Sequence, residues 1–269
     1  MSRLVDPPVW TVQTEERANG CFETMRAYHG RIFRLDGHLD RLYASAQFLG
    51  TRAPSDRRRL AAHLLRALAA SGLREAVVRV ALLPQPTNPA RPSIVVQPAQ
   101  SLPSEAYRRG IQVAVVPSRA YAVGAISPQA KYSARLGSVL AVMEAQLRGA
   151  DEALFMGVHG FVTESTASNL GLVKDHVILT APCWLGLLAG ITRDVLFELA
   201  QTLRVPIREQ PLTRHDLYTA DEVFLSSTLK EVLSVTCLDG RRIGTGRPGP
   251  ITQRLHRAFR ALVKRELNV

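Results

Sequence analysis

The sequence predicts a two-domain α/β (α+β) protein, and three observations carry that reading. The chain has 269 residues, room for two units of roughly 110–150 residues each. Strand-like runs and helix-like periods are interleaved on both sides of residue 117, the mark of a mixed architecture. Residues 118–130 hold Ser, Gly, Pro and Ala without a sustained period, which reads as a linker. The expected division is residues 1–117 for a small N-terminal α+β domain, 118–130 for the linker and 131–269 for a larger C-terminal domain.

The elements follow in order. Residues 20–34 read as a hairpin: apolar and polar residues alternate from Cys21 to Met25 and His29-Gly30 supplies the turn. Asp36 can cap a helix with Leu39, Leu42, Tyr43, Ala46 and Leu49 on one face, ended by Gly50. A second helix is expected from Ser55, with Leu60, His63, Leu64 and Leu68 at helical spacing and a stop at Gly72. Strands are expected at 76–83, 93–97 and 111–116. After the linker come a helix at 133–148 and short strands at 153–156, 160–164, 169–173 and 177–180, separated by Gly157 and Asp175. A helix at 193–203, strands at 206–210, 222–225 and 233–238, and a basic C-terminal helix complete the chain. No internal repeat or low-complexity tract interrupts it.

Composition narrows the function classes. Apolar residues at 46% and charged residues at 21% are ordinary for a globular protein. The weakly polar stretch at 177–190 is too short to span a bilayer and is broken by Pro182. The first residues, Met1 to Asp6, have no apolar signal core, so a cytoplasmic protein is expected. Cys21, Cys183 and Cys237 are far apart and odd in number, which argues against a disulfide framework and a metal site. The formal charge is 34 − 23 = +11, yet only four cations are lysines: Lys131, Lys174, Lys230 and Lys264. An arginine bias spread over amphipathic helices, as in Arg57-Arg58-Arg59, reads as solvated faces rather than a nucleic-acid stripe.

Scarcity makes the lysines informative. Lys131 stands at the linker's end, just before a helix, between uncharged Ala130 and Tyr132. A lysine shielded there is driven toward its neutral amine, the form that attacks carbonyls; most lysines are instead surface groups. Glu164 lies in the run Gly160 to Asn169, among small hydroxyl residues; it is either a turn carboxylate or a partner for a protonated ring nitrogen. Thr192, in Gly190-Ile191-Thr192, is a plausible N-cap, and Thr228 to Glu231 has the form of a capping box. Helix starts bind anions, so two of them with a shielded lysine point to a phosphate-bearing aldehyde cofactor. His38 is placed to pack the Asp36 helix beside Arg41. No metal-protease, nucleophile-elbow, phosphate-loop or dinucleotide fingerprint is present.

These residues carry a resemblance. Gly20 to Arg26, Phe33 to Leu42, Lys131 to Ala141, Asp151 to Leu154, Thr163 to Asn169, Gly190 to Arg193 and Ala220 to Phe224 resemble the class IV, fold-type IV aminotransferases that use pyridoxal 5′-phosphate. That group holds branched-chain and D-amino acid transaminases and 4-amino-4-deoxychorismate lyase. The resemblance implies a cofactor at the domain interface of a homodimer. It implies that Lys131 bonds the cofactor aldehyde and shuttles the substrate proton, and that Glu164 pairs with the pyridine nitrogen. It further implies that Arg41, Ile191, Thr192 and Thr228 hold the phosphate, with Arg79 and Phe22 as substrate contacts. The segment before Gly20 is shortened, and Arg135 and Leu136 stand where branched-chain enzymes carry a tyrosine. The expected activity is ping-pong transfer of an amino group between a small amino acid and a 2-oxo acid. The alternatives are the pyruvate-releasing lyase and, from another class, a basic nucleic-acid-binding protein.

Overall fold

A computed structural model describes residues 20–84, 89–116, 127–157 and 159–269. Most of the expected linker lies outside the described residues.

The first half builds a four-stranded antiparallel sheet, order β2-β1-β3-β4, from β1 (Cys21–Tyr28), β2 (Arg31–Ile32), β3 (Ala76–Leu83) and β4 (Arg91–Pro98). The hairpin forms as the sequence predicts, with His29 and Gly30 both at positive φ in its turn. Two helices cover one face, α1 (Leu35–Phe48) and α2 (Arg57–Ser71). Leu39, Leu42 and Ala46 of α1 meet Leu60, Leu64 and Leu68 of α2 over Met25, Val78 and Val80 of the sheet. Asp36 is not the cap: the N-cap of α1 is Arg34, in the left-handed region, and Asp36 lies in the first turn, where its charge suits the helix dipole. In α2 the cap is Asp56, whose side chain accepts from Arg59 N–H.

The second half builds a nine-stranded sheet. Its members are β5 (Ile111–Val115), β6 (Glu152–Met156), β7 (Val162–Ser165), β8 (Asn169–Lys174), β9 (Val177–Thr180), β10 (Ile207–Glu209), β11 (Glu222–Ser227), β12 (Glu231–Leu238) and β13 (Arg241–Arg242). Six of them, in the order β8-β11-β12-β5-β6-β7, close into a ring, because β7 also pairs with β8 through Glu164 and Asn169. Ring closure removes the exposed edges of an open sheet. Alternation then sorts the side chains. Ile111, Val113, Val115, Leu170, Leu172 and Leu225 fill the inside, while Val173, Phe224 and Val232 face outward under two helices. Those helices are α5 (Ile191–Thr202) and α7 (Pro250–Leu267). Between them in sequence lies the short α6 (Arg214–Tyr218). A further helix, α4 (Leu136–Leu147), lays Ala141 and Ala145 on Ala114, Ala153 and Phe155.

Two expectations shift. Strand β5, placed with residues 1–117, hydrogen-bonds in parallel to β12 and β6, and the short α3 (Ser104–Arg109) before it contributes Tyr107 to the same core. The change of sheet therefore falls between β4 and α3. The helix expected from residue 133 begins at Leu136, five residues beyond Lys131.

Candidate active site

Residues 131–133 run against the start of β1. The Phe22 N–H donates to the Lys131 carbonyl at 3.0 Å, and the Ser133 N–H to the Gly20 carbonyl at 2.8 Å. Cys21 and Tyr132 bridge between them. The Lys131 N–H donates to Ser45 Oγ of α1 at 3.0 Å. Lys131 is thus backbone-pinned on both sides, which fixes where its side chain leaves the chain. Its Nζ lies 5.1 Å from the centre of the Phe22 ring. Burial pushes this ammonium down to about 8, with Arg41 and Arg135 pushing the same way against the opposing pull of Glu23 and Glu164.

Glu164 stands where the ring of strands closes. Its Oε2 accepts the Leu188 N–H at 3.1 Å and an Asn169 Nδ2–H at 3.2 Å. Burial nonetheless raises its carboxyl to about 7, outweighing the Leu188 N–H and the cations Lys131, Arg135 and Arg41. A carboxyl near neutrality and an amine at about 8 in mutual electrostatic reach are what proton-transfer chemistry at neutral pH requires.

Residues 188–190 tie the remaining pieces to Glu164. The Leu188 carbonyl accepts from Asn169 Nδ2 at 2.8 Å, and the Ala189 carbonyl accepts from Arg41 Nη1 at 2.7 Å. Gly190 then caps α5. A Cβ on Gly190 would fall 1.9 Å from Asn169 Oδ1, so the close approach needs glycine. Ile191 and Thr192 are the first two residues of α5, with N–H groups that have no acceptor within the helix. They line one small cavity with His38, Arg26 and Thr228. The sequence expectation for the caps is corrected here. Thr192 sits inside the first turn of α5 rather than capping it. Residues 228–230 form a turn between β11 and β12 with Ser227 Oγ accepting the Lys230 N–H at 3.2 Å, because β12 resumes at Glu231 and no helix follows.

Arg41 lies beside that loop, on α1. Its Nε and Nη2 donate to Glu23 Oε1 and Oε2 at 2.6 and 2.8 Å. Glu23 is fully buried at 0% exposure, and His38 Nδ1 also meets its Oε2 at 2.8 Å. Hydrogen bonds from Arg41 and His38 overcome the cost of burial and hold the Glu23 carboxyl down at about 2; burial pushes the His38 imidazole below its ordinary value. Glu23 is not among the residues expected at the site: it lies on the β1 face of Cys21 and Met25, but nothing within a few positions names its partners. Its position opposite His38 and Arg41 is visible only in three dimensions.

Phe22 collects cations. The Arg79 guanidinium lies 4.5 Å from the ring centre and that of Arg135 5.9 Å. Arg79 Nε is buried with no hydrogen-bond partner among the described residues, and Arg135 donates to the Thr166 carbonyl. A carboxylate entering there would find uncommitted donors. The structure therefore gathers Lys131, Glu164, Arg41, Phe22 and Arg79 around one centre, with Ile191, Thr192 and Thr228 in the adjoining cavity.

Residues 20–238 match the family model of amino-transferase class IV. A Methanocaldococcus jannaschii protein provisionally named branched-chain-amino-acid aminotransferase is 36% identical over 249 residues, 90% of this chain and 86% of its own. A D-alanine aminotransferase of Listeria innocua is 33% identical over 276 residues, 96% of this chain and 92% of its own. Among solved structures, a T.th. branched-chain amino acid aminotransferase with pyridoxamine 5′-phosphate superposes with a TM-score of 0.87 at 32% identity. That match covers 91% of this chain and 85% of the other.

Proposed function

The chain belongs to the class IV amino-transferase family, and on that premise we propose how its residues divide the work. It is a fold-type IV aminotransferase that uses pyridoxal 5′-phosphate. Its relatives are named for amino-group transfer, which favours a transaminase over the lyase alternative.

The residues present fit that cofactor. When bound, it supplies an aldehyde and a pyridine ring that serves as an electron sink. Lys131, whose lowered pKa leaves part of it as the neutral amine near pH 7, is the residue that bonds the aldehyde. Once the substrate amine displaces it from that bond, its Nζ would be free to take the proton from the substrate α-carbon and deliver it to the former aldehyde carbon of the cofactor, which amino-group transfer requires. Glu164, a carboxyl poised near 7, serves the pyridine nitrogen and keeps a proton there. Arg41, the N–H groups of Ile191 and Thr192, and Thr228 hold the phosphate. Arg79, with Phe22 beneath it, takes a substrate carboxylate. The observation that carries this reading is that Lys131, over the Phe22 ring, and the half-buried Glu164, held by the Leu188 N–H and Asn169, lie within electrostatic reach of each other.

Relatives named for branched-chain amino acids and for D-alanine support a small amino acid and a 2-oxo acid as the substrate pair, exchanged in ping-pong order. A homodimer is supported by α4, where Leu136, Val139, Leu140, Met143 and Leu147 form one exposed apolar stripe, Leu147 at 89%. The domain division is proposed at the change of sheet between β4 and α3. Free thiols at Cys21, Cys183 and Cys237 fit a reducing cytoplasm. No described helix is long and apolar enough to cross a membrane.

The test is a half-reaction screen. Cofactor-loaded protein is mixed with single L- and D-amino acids, without acceptor, and the cofactor absorbance is followed. Conversion by a small amino acid is the expected outcome. Failure of every amino acid, together with pyruvate release from aminodeoxychorismate without acceptor, would overturn the transaminase reading.

A further inference from the structure

We propose that Glu23, backed by His38, is a positioning residue of the cofactor site: it fixes the Arg41 guanidinium so that the N–H groups left over are presented to the phosphate. This rests on the reading of Arg41 as a phosphate ligand. Arg41 carries five N–H donors. Three are committed: Nε to Glu23 Oε1 at 2.6 Å, Nη2 to Glu23 Oε2 at 2.8 Å and Nη1 to the Ala189 carbonyl at 2.7 Å. One N–H remains on each terminal nitrogen, which suits a pair of phosphate oxygens.

The arrangement is rigid for physical reasons. The Arg41 side chain is 10% exposed and that of Glu23 0%, so neither charge can turn to water without losing the other. A fork-to-fork pair fixes the plane of the guanidinium as well as its position. His38, 2% exposed, closes the carboxylate from the other side through Nδ1. Its burial favours the neutral ring, so it supplies one N–H to Glu23 and adds no cation to compete with Arg41. His38, Arg41 and Ser45 are spaced three and four residues apart along α1, one stripe of the helix. The same stripe thus orders Glu23, the guanidinium and the Lys131 backbone, which donates to Ser45. Ordering Arg41 before the ligand arrives removes the rotamer entropy that a free arginine would lose on binding.

The experiment compares two ligands that differ only in the phosphate. Affinities of cofactor-free protein for pyridoxal 5′-phosphate and for pyridoxal are measured by absorbance titration in wild type, Glu23→Gln, Arg41→Ala and the double variant. Glu23→Gln, which alters Lys131 for both ligands alike, is expected to weaken the phosphorylated ligand relative to pyridoxal about tenfold to a hundredfold, the scale of hydrogen bonds to a charged group. The double variant is expected to bind no worse than Arg41→Ala. His38→Leu should reproduce the phosphate-selective loss, and His38→Asn, which keeps a side-chain N–H, should restore affinity. The His38 pair carries the same comparison if Glu23→Gln does not fold. Equal losses for both ligands, or additive effects in the double variant, would mean that Glu23 supports the fold rather than the phosphate site. If Arg41→Ala is phosphate-selective and the Glu23 and His38 variants are not, the positioning role falls alone. If Arg41→Ala is not selective, the reading of Arg41 falls with it.

Discussion

Replacing Glu164 by Gln removes a single titration and keeps the shape of the side chain, which isolates the energy stored at the ring closure. Burial holds this carboxyl up at about 7 against an ordinary 4.5, so between those values the folded protein keeps a proton that the unfolded chain has released. Stability from this group is complete below pH 4.5 and is lost as pH rises through about 7. At about 1.4 kcal/mol per pH unit the difference amounts to about 3 kcal/mol. The neighbouring groups act in other windows. Glu23, held down at about 2, contributes stability that is present above 4.5 and lost as pH falls through about 2. Lys131, pushed from 10.5 to about 8, contributes stability present above 10.5 and lost as pH falls through about 8. Urea unfolding of cofactor-free wild type and Glu164→Gln at about pH 4.5 and about pH 7.5 therefore reads Glu164 against a shared background. Wild type should lose about 3 kcal/mol more than the variant between the two pH values. Equal pH dependence in both would refute the raised carboxyl.

Three further outcomes are expected. In cofactor-free protein, the rate of Lys131 modification by an amine-selective reagent should follow a titration centred near about 8, read by peptide mass spectrometry across pH; a midpoint near that of an ordinary lysine would contradict the buried amine. Gly190→Ala should drive Asn169 off Glu164 and Leu188, because the new Cβ would lie 1.9 Å from Asn169 Oδ1. A loss of about 1–3 kcal/mol in thermal or urea unfolding is expected, together with faster loss of cofactor on dialysis. Leu140→Arg, in the exposed α4 stripe, should shift the mass seen by analytical ultracentrifugation from dimer to monomer while leaving the helix content of the circular dichroism spectrum unchanged.

Local patterns in the sequence were enough for most elements and for the ends of the chemistry, while the joints between them were not legible. The β1–β2 hairpin, α1, α2 and α7 follow from periods and turn residues that act within a few positions. Lys131 stands out by scarcity and Glu164 by its small hydroxyl neighbours, and the two lie within electrostatic reach of each other. That β5 joins the second sheet is not legible in the sequence, because its partners, β6 and β12, lie far along the chain and pair in parallel. Nothing local encodes such a pairing. Caps failed in a similar way. Thr192 has the side chain of an N-cap, but the tight approach of Asn169 puts Gly190 there instead. Glu23 shares the β1 face of Cys21 and Met25, and the strand's period alone does not say what would pair with a charge there. Glu23 is buried because α1 covers that face with His38 and Arg41, residues that satisfy it only after the helix has docked.

Every role proposed for this site turns on Lys131, among four lysines, being the residue that bonds the cofactor. Borohydride reduction of the cofactor-loaded protein makes that bond permanent, and peptide mapping then locates it. Pyridoxyl label is expected on Lys131, and it is expected to be lost in Lys131→Ala. Label on Lys174, Lys230 or Lys264 in the wild-type protein would contradict this assignment.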